Sequence, residues 1–375
     1  MEFRLVQSSE LKQAVQLADD VFRDAEQISM GTAFPLIFSP GQSHSYGAFV
    51  GDKLVSFMGF VPFVLQAGDA RLNVFSMGSV CTHPDYRGQG TAGRLLDLCK
   101  QHAEQAGASL VFISGDRSLY TRAHCYHFGR TERFTLDAEG AARLRSLTAG
   151  ISGRTVRPHA PTDAFAMQAA ANAREVAFAQ SVTELQRLLG AEAHASCTKL
   201  AQQVLVAAPV GGGVDSYAVI EAPGRYHSKR QPAATEWAGP AEAVGALLAD
   251  AVERFNLAEL QVAVGWHEHE LMQLLREAGL ASMPGTNSGT VFVVSAERLL
   301  EQAAPYLRAS GSPVPAVTLL QEGQYRVTLP DGSVSLELSA EELVSLLFDP
   351  ESAHAKQLPG WTAIPLPQLN GLAYT

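Results

Sequence analysis

The sequence has few cysteines and no long run of apolar residues. Only four of its 375 residues are cysteine, and none stands in a C-x-x-C pair, which favours reduced, mostly buried thiols. The longest apolar stretch, Phe57 to Leu65, contains Gly59 and Pro62 and is far shorter than the roughly 20 residues that span a membrane. The first residues, Met1 to Arg4, lack the pattern of a secretory signal peptide. We therefore expect a cytoplasmic chain.

Basic side chains are scarce as well. The chain has 28 Lys and Arg against 38 Asp and Glu, a formal charge of -10, which argues against a nucleic-acid coat because such a protein needs a basic face. The hydrophobic share of 46% and the charged share of 18% are typical of globular proteins, so wholesale disorder is excluded. At roughly 100–200 residues per domain, the length predicts two or three domains.

The first part of the chain alternates helices and strands. Apolar side chains recur at helical spacing from Leu11 to Phe22, which predicts an amphipathic helix there. Another amphipathic helix is predicted from Thr91 to Ala106. Strands are predicted at Tyr46 to Val50, Leu54 to Leu65, Arg71 to Thr82 and Ser109 to Ser114.

A similar order of elements returns from near Thr155, with helices predicted over 240–255 and 268–278 and a strand over 259–264. This repetition predicts a degenerate duplicate of the first part. The final part differs: we predict a strand over 317–329, a hairpin at Pro330-Asp331-Gly332 and a helix that begins at the capping box Ser339 to Glu342. The apolar, proline-containing end, residues 364–375, is unusual for a free tail and predicts a docked one.

One motif carries chemistry. Arg87-Gly88-Gln89-Gly90-Thr91-Ala92 has the form R-x-x-G-x-A and lies between a predicted strand and a predicted helix. Small residues let an anion approach the backbone closely, and the first N–H groups of a helix have no internal partners. The helix dipole adds about 0.3–1 kcal/mol for an exposed anion. The motif therefore predicts a phosphate cradle, and the alternative is an ordinary glycine-containing turn.

The wider segment from Val80 to Leu96 resembles motif A of the GCN5-related N-acetyltransferases (GNAT family). The resemblance implies that acetyl-CoA is the cosubstrate. It implies that Val80 and Thr82 offer backbone groups to the pantetheine and the thioester, and that the pyrophosphate loop runs from Arg87 to Ala92. It also implies that the next strand, which ends at Ser114, splays away from this one to admit the pantetheine arm.

The segment from Leu119 to Cys125 resembles the Y-x-[KR]-x-G-[FY] signature of the same family, in which the tyrosine acts as a general acid near the CoA sulfur. By this resemblance Tyr120 is the general acid and Arg122 is the basic position. His124 stands where the family has glycine, and Cys125 replaces the aromatic residue. Tyr126 is the alternative general acid, and either tyrosine could instead be a core residue.

The whole chain resembles the Eis-type (enhanced intracellular survival) acetyltransferases. This implies an α/β (α+β) fold class: tandem GNAT folds with mixed central sheets plus a small C-terminal sterol-carrier-protein-like α/β domain. We place the domains at 1–148 (catalytic GNAT), 149–288 (degenerate GNAT) and 289–375 (sterol-carrier-like). The second domain has Trp237 to Glu242 at the loop position, without R-x-x-G-x-A, and is expected not to bind CoA. In this family the terminal carboxylate, here that of Thr375, enters the active site as a base; the alternative is a terminus fixed only for stability.

The predicted function is direct acetyl transfer to a primary amine of a small polar or cationic molecule. A carboxylate would help to deprotonate the amine, and Tyr120 would protonate the departing thiolate. We expect no nucleic-acid or membrane partner and, from the family resemblance, a homo-oligomer. One alternative is a non-catalytic acyl-CoA-binding or sensing module. The other is a tandem acetyltransferase of the mycothiol-synthase type, against which the third domain counts.

Two further groups of side chains carry weaker signals. The acidic and aromatic residues between Asp19 and Phe38 border the acceptor pocket in this fold, or else form a solvated helix face and its core contacts; they are Asp19, Asp20, Asp24, Glu26, Phe22, Phe34 and Phe38. The tract His267 to Glu270 contains alternating histidines, but alternate residues at the start of a helix do not share a face, so we expect no metal site there.

Overall fold

The computed structural model of the chain describes residues 1–41, 44–149, 154–225 and 227–375. The strands in chain order are β1 (Glu2–Leu5), β2 (Tyr46–Val50), β3 (Lys53–Ala67), β4 (Ala70–Thr82), β5 (Leu110–Ile113), β6 (Thr131–Asp137), β7 (Arg154–Pro158), β8 (Val176–Phe178), β9 (Ala201–Pro209), β10 (Ser216–Ala222), β11 (Ala233–Ala238), β12 (Glu259–Gly265), β13 (Ala281–Gly285), β14 (Thr290–Val293), β15 (Ala316–Gln321), β16 (Gln324–Thr328) and β17 (Ser335–Ser339).

The helices are α1 (Leu11–Phe22), α2 (Met30–Ala33), α3 (Pro35–Phe38), α4 (Thr91–Gln105), α5 (Ser118–Thr121), α6 (Ala138–Thr148), α7 (Ala164–Asn172), α8 (Val182–Leu189), α9 (Ala193–Thr198), α10 (Ala241–Arg254), α11 (His269–Glu277), α12 (Ala296–Ala309) and α13 (Ala340–Phe348). Most predicted elements are present within one or two residues of their predicted bounds. No helix in the described ranges is long and apolar enough to cross a membrane.

The chain divides into two compact units. The first comprises Met1–Gly129, Asn287–Leu369 and Thr375, and the second comprises Arg130–Thr286 and Asn370–Tyr374. The predicted division into three domains stays a prediction, and its first boundary adjoins residues 150–153, which lie outside the described residues. Residues 130–148 lie with the second unit because β6 pairs with β12 and β13.

The main sheet of the first unit has the order β1-β2-β3-β4-β5-β14. β4 and β5 are parallel and the other neighbours are antiparallel. The long strands β3 and β4 are mostly buried, and Phe60 stacks on Phe75 with ring centroids 4.2 Å apart. Four buried side chains of α4 pack against these strands; they are Leu95, Leu96, Cys99 and Ala103.

The first unit also contains the three-stranded sheet β15-β16-β17. The single strand predicted over 317–329 is wrong, because β15 and β16 are separated by a turn at Glu322 and Gly323. Gly323 adopts a left-handed φ of 72° there, which a glycine tolerates and which lets the chain reverse. The predicted capping box is confirmed: the Ser339 hydroxyl accepts from Glu342 N, and the Glu342 carboxylate accepts from Ser339 N.

The sheet of the second unit has the order β13-β6-β12-β11-β10-β9-β7, with β11 and β12 parallel. α10 packs on this sheet through its buried face, which includes Val244, Leu247 and Leu248. A mixed sheet with a parallel central pair and a helix after the first of the two strands therefore occurs in both units, as the repeated element order predicts.

Candidate active site

The pairing of β4 with β5 ends partway along β4. The two strands pair from Val74–Leu110 to Met77–Ile113, and the last contact is from Ser114 N to the Met77 carbonyl at 3.1 Å. β4 then continues to Thr82. Between Gly78 and Cys81, β4 holds one residue more than the facing part of β3, from Phe57 to Gly59. This bulge places Ser79 at a left-handed φ of 50°. β5 ends where this pairing ends, and the predicted splay beyond it stays a prediction.

The loop after β4 leads to an uncovered helix start. Gly88 and Gly90 adopt left-handed φ values of 75° and 72°, and a Cβ added at either would meet no atom within 4 Å. Gly90 is the N-cap of α4, and no side chain caps the helix. The Arg87 side chain holds the loop by donating from Nε to the Thr82 carbonyl at 3.2 Å. The first N–H groups of α4 thus face accessible space, where the dipole favours an anion.

The predicted cofactor residues lie along one path. Val80 and Thr82 form the end of β4, residues 87–90 form the loop, and Thr91 and Ala92 begin α4. The side chains of two of them are already engaged. Thr82 Oγ1 lies 2.8 Å from Ser56 Oγ, and the Thr91 side chain is buried. These two residues can therefore offer mainly backbone groups to a ligand.

The end of the chain reaches the point where the strands part. Thr375 is 3% exposed, and its Oγ1 lies 2.7 Å from Ser76 Oγ. A Cβ added at Gly78 would lie 2.0 Å from the main-chain O of Thr375 and 2.1 Å from its C atom. The same Cβ would lie 3.1 Å from Ser114 Oγ. Only glycine at position 78 leaves room for this group.

Asn287 fixes the segment from Pro367 to Leu369, near the end of the chain. The Asn287 Nδ2 group donates to the Pro367 carbonyl at 2.7 Å, and its Oδ1 accepts from Leu369 N at 3.4 Å. Earlier in the same segment, Ile364 N donates to the Leu347 carbonyl at 2.7 Å. The apolar side chains of residues 363, 364, 366 and 369 are buried. The predicted docking of this segment is confirmed.

Tyr120 lies just beyond the end of β5. Its ring is so close to Gly115 that a Cβ added there would lie 3.2 Å from the ring, and Gly115 directly follows Ser114. Tyr120 is 6% exposed and packs with Leu95, Cys99 and other core residues of α4. This burial raises the pKa of Tyr120 to about 12, so its hydroxyl keeps its proton at neutral pH.

Tyr126 has a different environment. Its backbone bridges Val291, with both N–H to carbonyl bonds formed at 2.9 and 3.0 Å, and its hydroxyl lies 3.4 Å from His124 Nδ1. His124 itself has a left-handed φ of 60°. This position therefore keeps the backbone conformation that a glycine favours, although the sequence places a histidine there.

The acidic residues near α1 are largely used in local structure. One oxygen of Asp19 accepts from Met30 N at 2.6 Å, and the other accepts from Ser29 Oγ at 2.7 Å, so this carboxylate fixes the start of α2. Phe34 and Phe38 are buried, and Phe38 stacks on Phe57. For these three residues the structure favours the contacts of a folded core over an acceptor pocket.

Sequence reasoning missed four residues of the site. They are Ser76, Gly78, Ser79 and Asn287. The run of small residues from Ser76 to Ser79, broken by Met77, is a signal for close backbone approach in a strand. The role of Asn287 has no local signal, because its partners are more than 75 residues away in sequence. In the described ranges, no three His, Cys, Asp or Glu side chains form a group that could hold a metal ion.

Comparisons with known proteins agree with this geometry. Residues 2–128 match the family model of the acetyltransferase (GNAT) domain. Eis1 from Mycobacterium abscessus has a similar structure, with 14% identity, 98% of this chain and 99% of that chain covered, and a TM-score of 0.63. A GCN5-related N-acetyltransferase from Kribbella flavida is 15% identical, with 96% and 93% covered and a TM-score of 0.61.

A third similar structure is a GCN5-related N-acetyltransferase from Anabaena variabilis, which is 12% identical, with 100% and 95% covered and a TM-score of 0.62. A search of curated proteins found no significant match. At such identities the structural likeness concerns the fold, and it confirms the predicted α/β class with tandem GNAT folds.

Proposed function

We propose that this chain, whose residues 2–128 match the acetyltransferase (GNAT) domain model, transfers the acetyl group of acetyl-CoA to a primary amine. The acceptor in this proposal is a small polar or cationic molecule. The observation that carries the proposal is a set of three features along β4 and at the end of β5. These are the uncovered start of α4 after β4, the buried side chain of Tyr120 beside Gly115 and the position of Thr375 beside Gly78.

Acetyl-CoA supplies a thioester whose carbonyl carbon accepts a nucleophile. The pyrophosphate is held by backbone N–H groups from Gly88 to Ala92, because these groups lack intrahelical partners and the space beside the glycines is free. Arg87 adds positive charge to the same loop. The pantetheine arm lies along β4 beyond Gly78, where that strand no longer pairs with β5.

Thr375 takes a proton from the acceptor. A primary amine is mostly protonated at neutral pH and must lose a proton before it can attack. The terminal carboxylate of Thr375 accepts that proton beside Gly78. The Ser76 hydroxyl, 2.7 Å from Thr375 Oγ1, and the lack of a side chain at Gly78 fix its position.

Tyr120 gives a proton to the leaving group. Attack by the amine forms the N–C bond to the acetyl carbon and breaks the C–S bond. The Tyr120 hydroxyl protonates the sulfur as it departs. The nitrogen loses two protons in all: one passes through Thr375 to solvent, and the other restores Tyr120. The position of Tyr120 against Gly115, next to the end of β5, supports it over Tyr126.

The test is a turnover assay of the full chain with acetyl-CoA and a panel of amines, with the acetylated product identified by mass. We expect turnover on at least one small polar or cationic primary amine and none on the matching alcohol. Tight CoA binding with no turnover on any amine would contradict the proposal and favour a binding or sensing module. Exclusive turnover on the amine of a thiol precursor would favour the mycothiol-synthase type.

A further inference from the structure

In the second unit, as in the first, the pairing of the two parallel strands ends while one strand continues. β11 and β12 pair only at Ala233–Gln261 and Ala234–Val262, although β11 continues to Ala238 and β12 to Gly265. Beyond these ends lies a cavity of about 670 Å³, which is lined by the first residues of α10 and α11. A cavity of this size can hold a small molecule.

This cavity is not built for a phosphate. Gly239 occupies the loop position, but a Cβ added there would lie 2.4 Å from Ser216 Cβ, so the loop is packed against β10. Pro240 is the N-cap of α10 and has no N–H to offer. Glu242 stands in the first turn and opposes an anion there. The prediction that this unit does not bind CoA therefore gains physical support.

The charges around the cavity are mainly negative. Arg174 lines it, but its guanidinium forms an ion pair with Glu236 at 3.3 Å. The carboxylates that line it are those of Glu175, Asp215, Glu268 and Glu270. Asp215 pairs with Arg154, and Arg174 lies close enough to Glu268 to interact with its charge, whereas Glu175 and Glu270 form no salt bridge within the described part of the chain. Such a lining attracts a positively charged ligand.

An unsatisfied polar atom points to a ligand independently of these charges. His267 lines the cavity, and its Nδ1 atom is buried without a hydrogen-bond partner among the described residues. The ring lies against Gly265, where a Cβ would be 2.7 Å from its Cε1. Burial lowers the pKa of His267 to about 3. The imidazole is therefore neutral and can accept a hydrogen bond from an ammonium group.

We propose that this cavity binds a small organic amine that carries one or more positive charges. Glu268 holds the ammonium together with His267, and Trp237, which donates from Nε1 to the Glu268 carboxylate at 2.6 Å, forms one wall. Burial raises the pKa of Glu268, and a bound cation favours its ionised form. The site uses only residues of the second unit and does not rest on the proposed transferase reaction.

The test uses Trp237 as a reporter. The chain has three tryptophans, so the double variant Trp266→Phe/Trp361→Phe leaves Trp237 alone. Its fluorescence is titrated with spermidine as the cationic probe and with triethylene glycol as a neutral one. We expect a saturable change with spermidine at a Kd below about 1 mM and none with the glycol. Glu268→Gln should weaken binding about 10-fold, and the matched exposed control Glu277→Gln on α11 should not.

The proposal fails if spermidine gives no saturable change, if both Gln variants bind equally well, or if pyrophosphate binds in its place. Should the double variant not fold, calorimetry on the otherwise unaltered chain and on its Glu175→Gln variant serves instead. Glu175 is exposed and lines the cavity, so its loss should remove part of the spermidine heat. Equal heats for both chains would overturn the proposal.

Discussion

Gly78→Ala tests the geometry of the proposed active site most sharply. The new Cβ would lie 2.0 Å from the Thr375 O atom, whereas ordinary contact begins at about 3.4 Å. The terminal group would therefore have to retreat by about 1.4 Å. The φ of Gly78 is not left-handed, so alanine adds no backbone strain and the strand should still form. The change acts on Thr375 rather than on the fold.

A displacement of about 1 Å in a reacting group costs on the order of 100-fold in rate. We therefore expect kcat for the acceptor amine to fall about 100-fold, with the KM for acetyl-CoA changed less than about 3-fold. The assay follows the loss of thioester absorbance. Gly213→Ala is the matched control, because its Cβ meets nothing within 4 Å.

A double-mutant cycle separates this effect from general damage. Removal of Thr375 should lower kcat by a similar factor, and Gly78→Ala should add little to that deletion, because both changes disable one group. Full activity of Gly78→Ala, or multiplied losses in the double variant, would refute the assignment of Thr375 as the base.

The remaining predictions concern Tyr120, the loop and His267. Tyr120→Phe should lower kcat about 100-fold with normal thermal stability, because general acids contribute about 100-fold or more. Tyr126→Phe should change kcat less than about 3-fold. Equal losses of kcat in the two variants would contradict the assignment of Tyr120 as the general acid. Gly88→Ala should raise the KM for acetyl-CoA about 10-fold, because a left-handed alanine costs roughly 1–2 kcal/mol. Gly93→Ala should leave this KM unchanged, because the new Cβ would meet no atom within 4 Å. The pKa of His267 is lowered to about 3 in the folded chain against about 6.5 in an unfolded one. The contribution of neutral His267 to the free energy of unfolding is therefore fully present above about pH 6.5. It is lost as the pH falls, by up to about 2 kcal/mol at pH 5. Urea unfolding at pH 8 and pH 5 measures this, and a His267→Asn variant with an unchanged acid sensitivity would count against it.

Local signals explain why part of the site could be predicted from the sequence. The loop from Arg87 to Ala92 is contiguous, and its glycines have the left-handed angles that its motif requires. Tyr120 lies within one short segment as well. By contrast, the contact of Thr375 with Ser76 joins residues 299 positions apart, and no periodicity or spacing encodes such a pair. The apolar, proline-containing end predicted docking, but it did not predict Gly78 as the place of contact.

The fold has the same limit. Apolar runs predicted β2 and β4, helical periodicity predicted α4, and a capping box predicted α13, because these signals depend on the residues within each element. The place of β6 between β12 and β13 in the sheet of the second unit depends on pairing with distant segments, which the residues of β6 do not specify. The turn at Gly323 does have a local signal, the polar stretch from Gln321 to Gln324, which a single predicted strand over 317–329 disregards.

The central claim is that the carboxylate at Thr375 deprotonates the acceptor amine beside Gly78. The most direct measurement is kcat for a chain that carries one additional glycine after Thr375, assayed with the same amine and saturating acetyl-CoA. The added residue turns the Thr375 carboxylate into an amide, which cannot take a proton. We predict a loss of about 100-fold with acetyl-CoA affinity unchanged, and an undiminished kcat would contradict the claim.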